Sequence, residues 1–212
     1  NALKKGLAES SDLNVTQYRT LMKILGAKGE PLSQARLKEA LRLAANVVTN
    51  ALSVLEEHGY VMRESGRDAR TRYICITPAG ISHIDEVNEA VVRRLYEDFP
   101  TKNPTFRTIL EAAIAAGAQI DPLLNPSATV RHPASRALVA IEFIQQETER
   151  ALKTTCGASF NECRIVQFLG EKSAPLRIGV IADALGLSPV NVARAADRLV
   201  QRGWAQRLGS PS

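Results

Sequence analysis

The chain repeats itself at a fixed spacing. Pro31-Leu32 returns as Pro175-Leu176, Leu41-x-Leu43 as Leu185-x-Leu187, and Leu55-x-x-x-Gly59 as Leu199-x-x-x-Gly203, each displaced by 144 residues without a gap. Self-similarity of this kind means that one supersecondary unit is built twice. At 212 residues the chain has room for one large domain or two small ones, and the repeat decides for two. Whatever the first copy folds into, the second must be able to fold into as well.

In the first copy, Val15 to Lys28 carries Leu21, Met22, Ile24 and Leu25 at helical spacing, and Gly29-Glu30-Pro31 breaks that pattern. Ser33 is placed to cap a short helix within Leu32 to Arg42 that carries Leu37 and Leu41. A second helix is predicted from Ala45 to His58, burying Val48, Ala51, Leu52 and Leu55, the i, i+3, i+4, i+7 set. Ser65-Gly66-Arg67-Asp68 then supplies turn residues, and Tyr73 to Thr77 alternates as a strand, with Ile74 and Ile76 on one side. Thr77-Pro78 restarts a helix, Thr as cap and Pro at the first helical position. Helix, tight break, helix and basic hairpin make a winged helix-turn-helix, whose second helix fits a DNA major groove.

At 100° per residue, the face of Ala45–His58 opposite the apolar stripe holds Asn46, Asn50, Ser53 and Glu57, flanked by Val47 and Thr49. Asparagine pairs bidentately with adenine, and valine can touch a thymine methyl. This helix contains no Lys or Arg, while Glu56 and Glu57 make it acidic. Phosphate contact is therefore assigned to Arg36, Lys38 and Arg42 before it, and to Arg63, Arg67, Arg70 and Arg72 in the wing. Ala44 stands where a capping oxygen would serve, an omission worth about 1 kcal/mol.

The second copy begins with Phe160 to Lys172, carrying Ile165, Val166, Phe168 and Leu169. Its groove-type helix is capped by Ser188, starts on Pro189, buries Val192, Ala195, Ala196 and Leu199, and exposes Asn191, Arg194, Asp197 and Arg198. Arg194 occupies the position of Asn50, so the two copies present different chemistry. If both read DNA, the operator is not a perfect palindrome, because operator symmetry mirrors protein symmetry. Ser212 falls on the position of Asp68, so a second wing is expected to continue past it.

Between the copies, Gly80 to Asp98, Pro104 to Gln119 and Ser135 to Thr154 read as amphipathic helices, and Asp121 to Pro133 as a linker rich in Pro and Asn. The expected fold class is mainly α with small β-wings (α+β), two winged helix-turn-helix modules joined by long helices. The expected division is a first module at 1–79, connecting helices at 80–155 with a linker at about 121–134, and a second module at 156–212. A net charge of +5 suits a polyanionic partner, and 5% aromatics argues against a stacking surface for single strands. No apolar run reaches the roughly 18 residues of a membrane span. Cys75, Cys156 and Cys163 form no metal or disulfide pattern, and His58, His83 and His132 are scattered. No catalytic residue, metal ligand or cofactor site is read from the chain; His58, beside Gly59, is read as closing its helix.

The wing pattern Asp68-x-Arg70 followed by Ile76-Thr77-x-x-Gly80 resembles that of the MarR family of bacterial transcription regulators. The resemblance implies a cytoplasmic regulator, a repressor that occludes a promoter, with double-stranded DNA as partner. It implies that Arg70 enters the minor groove and that Asp68 orients it, which is sound physics for a narrow, electronegative groove. The family often has Arg where this chain has Asn50. Family members dimerise through the helices that flank the winged core. Here such helices lie between two cores, so the chain is either a single-chain pseudo-dimer or a homodimer. A small-molecule effector between helices and cores is a further implication, as is an oxidant-sensing role for Cys156 and Cys163 beside Lys153. Two other readings are a tandem winged-helix protein-interaction scaffold and a plasmid replication initiator; the basic wing weighs against the first.

Overall fold

The computed structural model describes residues 2–27, 30, 32–65, 72–99, 102–172 and 174–208. It is mostly helical with one two-stranded sheet, and it divides into two compact units, Asn1–Glu142 and Phe143–Ser212.

Unit 1 begins with α1 (Ala2–Ser10), α2 (Val15–Leu25), α3 (Gln34–Leu41) and α4 (Ala45–Glu57). Each boundary has a local cause. Asn14 and Gln17 form a reciprocal capping box at the start of α2. Ser33 accepts from the Arg36 amide at 3.2 Å and starts α3. Arg42 ends α3 in the left-handed region at φ 53°. Ala44 gives α4 no side-chain cap. His58 closes α4, its Nδ1 2.8 Å from the Val54 carbonyl oxygen.

The antiparallel pair β1 (Val61–Ser65) and β2 (Arg72–Ile76) follows, in register from Val61 opposite Ile76 to Ser65 opposite Arg72. The Ile74 amide donates to the Leu32 carbonyl at 2.8 Å, which ties the hairpin to the segment entering α3. Helix α5 (Pro78–Asp98) is capped by Thr77, and α6 (Pro104–Ile120) by Asn103. At Gly80 an added Cβ would sit 2.2 Å from the Tyr60 carbonyl oxygen, so only glycine lets α5 start so close to the hairpin. The core of this unit joins Leu21, Leu37, Leu41, Val48, Leu52, Leu55, Ile74 and Ile84.

The sequence pattern did not reveal α1. Its Leu3 and Leu7 are buried with Val87 and Val91 of α5, and Gly6 meets the Val91 backbone. Lys5 and Asp98 (2.8 Å), and Glu9 and Arg94, hold the rims of that contact.

The Pro- and Asn-rich stretch from Asp121, read as a linker, is anchored at several points. It has no helix or strand, yet it lies as a strap on α2: the Asn125 amide donates to the Gly26 carbonyl at 3.1 Å, and Leu124 packs on the core. Buried side chains, invisible to a composition argument, hold it there. The next helix, α7 (Pro133–Cys156), starts two residues before the predicted position.

Unit 2 contains α8 (Phe160–Lys172), α9 (Ile178–Leu185) and α10 (Pro189–Gln201) around a small core of Ile165, Ile181, Ala182, Val192, Ala195 and Leu199. The ranges of α9 and α10 are those of α3 and α4 displaced by 144 residues. The same displacement carries Arg42 onto Gly186, which is also left-handed (φ 63°), and Gly59 onto Gly203. It also carries the bond from the Tyr60 amide to the Leu55 carbonyl onto the one from Trp204 to Leu199, each 2.9 Å.

Candidate nucleic-acid interface

The apolar stripe of α4 is wholly inward: Val48, Ala51, Leu52 and Leu55 are buried. Helical geometry then turns Asn46, Val47, Thr49, Asn50 and Ser53 outward, and all five are exposed. Thr49 is partly fixed, since its hydroxyl donates to the Ala45 carbonyl at 2.9 Å and accepts from Gln34 Nε2 at 2.7 Å. Gln34, which sequence reasoning passed over, thus links α3 to this face. Asn46 and Asn50 carry exposed amides of the type that reads adenine.

The surrounding cations differ in how they are held. Arg36 pairs with Glu30 at 2.7 Å and donates to the Leu124 carbonyl at 3.2 Å, so the strap grips it. Arg42 lies in the αL turn between α3 and α4. Arg63 on β1 pairs with Glu56 of α4 at 2.6 Å, which neutralises one of the two acids on that helix and ties hairpin to helix. Arg72 is exposed at the start of β2. Arg67, Asp68 and Arg70 lie outside the described residues.

On α10, Ser188 accepts from the Asn191 amide at 3.2 Å and caps the helix. Asn191 and Arg194 are exposed on its outer face. Arg198 is turned back: its guanidinium pairs with the buried Glu162 of α8, and that partnership holds the Glu162 carboxyl below the usual range despite burial. Asp197 pairs with Arg207 at 2.5 Å. The groove-type faces of the two units therefore offer amides in one and an amide with one outward guanidinium in the other.

Behind α4, His58 stacks on Tyr60 and Tyr60 on His83, with ring centroids 5.4 and 4.3 Å apart. The Ser11 hydroxyl lies 2.8 Å from His83 Nε2, and the Tyr60 hydroxyl 3.2 Å from its Nδ1. Burial pushes the His83 imidazole pKa down, favouring the neutral ring. This stack fixes Tyr60, the residue that precedes the hairpin, against α5 and is structural. Among the described residues no three His, Cys, Asp or Glu side chains form a metal-binding group. Among the same residues no single helix is long and apolar enough to cross a membrane.

Several solved structures resemble the chain. The Staphylococcus aureus MepR–DNA complex is 20% identical, with 52% of this chain and 88% of that chain covered at a TM-score of 0.42. A MarR-family transcriptional regulator from Rhodococcus sp. RHA1 is 21% identical, covering 54% and 80% at 0.45. MepR described as a regulator of the Staphylococcus aureus efflux pump MepA is 19% identical, covering 54% and 86% at 0.44. No curated protein matches the chain in sequence. Residues 11–71, from just before α2 to the threshold of β2, match the MarR family.

Proposed function

We propose that this chain is a sequence-specific, double-stranded-DNA-binding transcription regulator of MarR type, a cytoplasmic repressor that works by occupying a promoter. The observation that carries the reading is the outward face of α4: Asn46, Val47, Thr49 and Asn50 stand opposite a fully buried stripe, on the second helix of a helix-turn-helix within the segment that matches the MarR family. Arg36, Arg42, Arg67 and Arg72 would meet phosphates, and Arg70 would reach the minor groove, with Asp68 orienting it. In unit 2, Ser188, Asn191 and Arg194 form the corresponding set. Arg198 belongs to it only if its pairing with Glu162 opens.

The correspondence of α3–α4 with α9–α10 supports a tandem reading: a first module at 1–79, connecting helices at 80–155 and a second module at 156–212. One chain then acts as a pseudo-dimer, and a small-molecule effector would act by favouring one DNA-binding arrangement over another. The test is selection of duplexes from a random library on the full chain. Enriched sites with two unlike halves support both faces as readers. A perfect palindrome would mean two chains, each offering the same face, and no enrichment would remove the DNA reading.

A further inference from the structure

The outward face of α4 has spent its hydroxyl hydrogens. A hydroxyl carries one donor hydrogen and two acceptor lone pairs. The Thr49 hydroxyl donates to the Ala45 carbonyl at 2.9 Å and accepts from Gln34 Nε2 at 2.7 Å. One turn further on, the Ser53 hydroxyl donates to the Thr49 carbonyl at 3.1 Å. Both side chains are exposed, yet neither keeps an O–H for a base edge. Helix α4 also has no Lys or Arg, the side chains that pair bidentately with guanine. What the face offers a major groove is therefore the amides of Asn46 and Asn50 and the apolar surface of Val47 and Thr49.

Gln34 decides which end of Thr49 is presented. A threonine in a helix divides between two rotamers, because its Oγ1 can bond the carbonyl one turn back. Here Oγ1 makes that bond, and the Gln34 amide, reaching across from the first turn of α3, holds it from a second direction. With Oγ1 tied twice, the methyl group is left as the contact surface. A hydroxyl turned outward against a thymine methyl would lose its water without gaining a partner, so the Gln34 bond also removes a penalty. The displacement of 144 residues carries Gln34 and Thr49 onto Ile178 and Ala193, which form no such bond, so the device belongs to unit 1 alone.

We propose that α4 reads thymine through the Thr49 methyl group, with Gln34 as the positioning residue that keeps the hydroxyl away from the groove. The inference rests on the DNA-binding reading and sharpens it. The half-site of unit 1 is built of A·T pairs, with adenine met by Asn46 or Asn50 and the thymine C5-methyl by Thr49 or Val47. Burying one such methyl group changes affinity about fourfold.

The test uses the full chain and a duplex selected on it from a random library. Each thymine of that site is replaced singly by deoxyuridine, which deletes the C5-methyl and nothing else, and affinity is read by fluorescence anisotropy. At one thymine the replacement should weaken binding of the wild-type chain about fourfold. This thymine-to-uracil ratio is the readout, whatever the absolute affinity. It should persist in Thr49→Val, which has methyl groups and no hydroxyl, and vanish in Thr49→Ser, which has the hydroxyl and no methyl. A thymine met by Val47 stays sensitive in both variants. Gln34→Ala should shrink the ratio in the wild-type background but not in Thr49→Val, where there is no hydroxyl to hold. If no thymine is sensitive, if every sensitive one stays so in Thr49→Ser, or if the ratio is lost in Thr49→Val, the methyl reading is overturned. A ratio untouched by Gln34→Ala, or lowered equally in both backgrounds, overturns the positioning role. Failure to select any site overturns instead the DNA-binding reading on which the inference rests.

Discussion

Replacing Asp121 by Asn keeps the shape of the side chain and removes the carboxylate that Lys23 contacts at 2.6 Å. Breaking a buried ion pair by removing one partner costs about 3–5 kcal/mol, because the other charge is stranded. The share of that cost that falls on Lys23 has a ceiling. Stranded Lys23 can discard its proton, and holding a lysine of unfolded pKa 10.4 neutral at pH 7 costs about 4.6 kcal/mol. The expected loss at pH 7 is therefore about 3–5 kcal/mol, of which Lys23 accounts for at most about 4.6. The same reasoning fixes the sign of the pH dependence. Burial already holds Lys23 below its ordinary value, and losing Asp121 lowers it further. Between the folded and unfolded pKa values the unfolded chain binds the extra proton, so the variant gains stability as pH rises through that window, by up to about 1.4 kcal/mol per pH unit. Urea unfolding at pH 7 and 9.5, followed by circular dichroism, measures both effects. Trp204, the only tryptophan, reports unit 2 by fluorescence as an internal control. A loss under about 1 kcal/mol at pH 7 that is also flat with pH would refute a buried ionic anchor.

Three further substitutions probe other parts of the chain. Arg194→Ala should lower DNA affinity and flatten the salt slope by about one unit; an unchanged slope would mean that α10 does not approach the phosphates. Arg42→Gly should raise stability by about 0.5–1 kcal/mol, because glycine adopts φ 53° without steric penalty, while DNA affinity and the salt slope fall. Stability and affinity moving down together would show that Arg42 serves the fold rather than the ligand. Gly80→Ala should lower stability by about 2–3 kcal/mol in urea unfolding, since its Cβ meets the Tyr60 backbone, whereas a loss below about 0.5 kcal/mol would mean that the start of α5 is free to shift.

Legibility in the sequence followed the range of the forces involved. The α4 helix could be read because Val48, Ala51, Leu52 and Leu55 encode a local period, and the same holds for α8, whose predicted limits match those found. Helix α1 could not, because Leu3 and Leu7 mean little until α5, some eighty residues later, lies against them. The strap was legible only in part for the same reason: its composition signals the irregular segment that is found, but not that Asp121 is held by Lys23, which is remote in sequence. At the candidate interface, the outward set on α4 follows from periodicity alone. That Arg63 and Arg198 are engaged by Glu56 and Glu162 depends on pairings that no local pattern announces.

The two cores differ greatly in size. Among the described residues, six buried apolar side chains hold unit 2 together, while the core of unit 1 takes in twenty-one. Fewer buried contacts mean a lower free energy of local opening, so amides of α8–α10 should exchange with solvent faster than those of α2 and α4. Equal protection in the two sets would show that the cores share one cooperative transition. Where the smaller core opens first, a protease gains its entry there, and the working lifetime of the whole polypeptide is set by its weaker third.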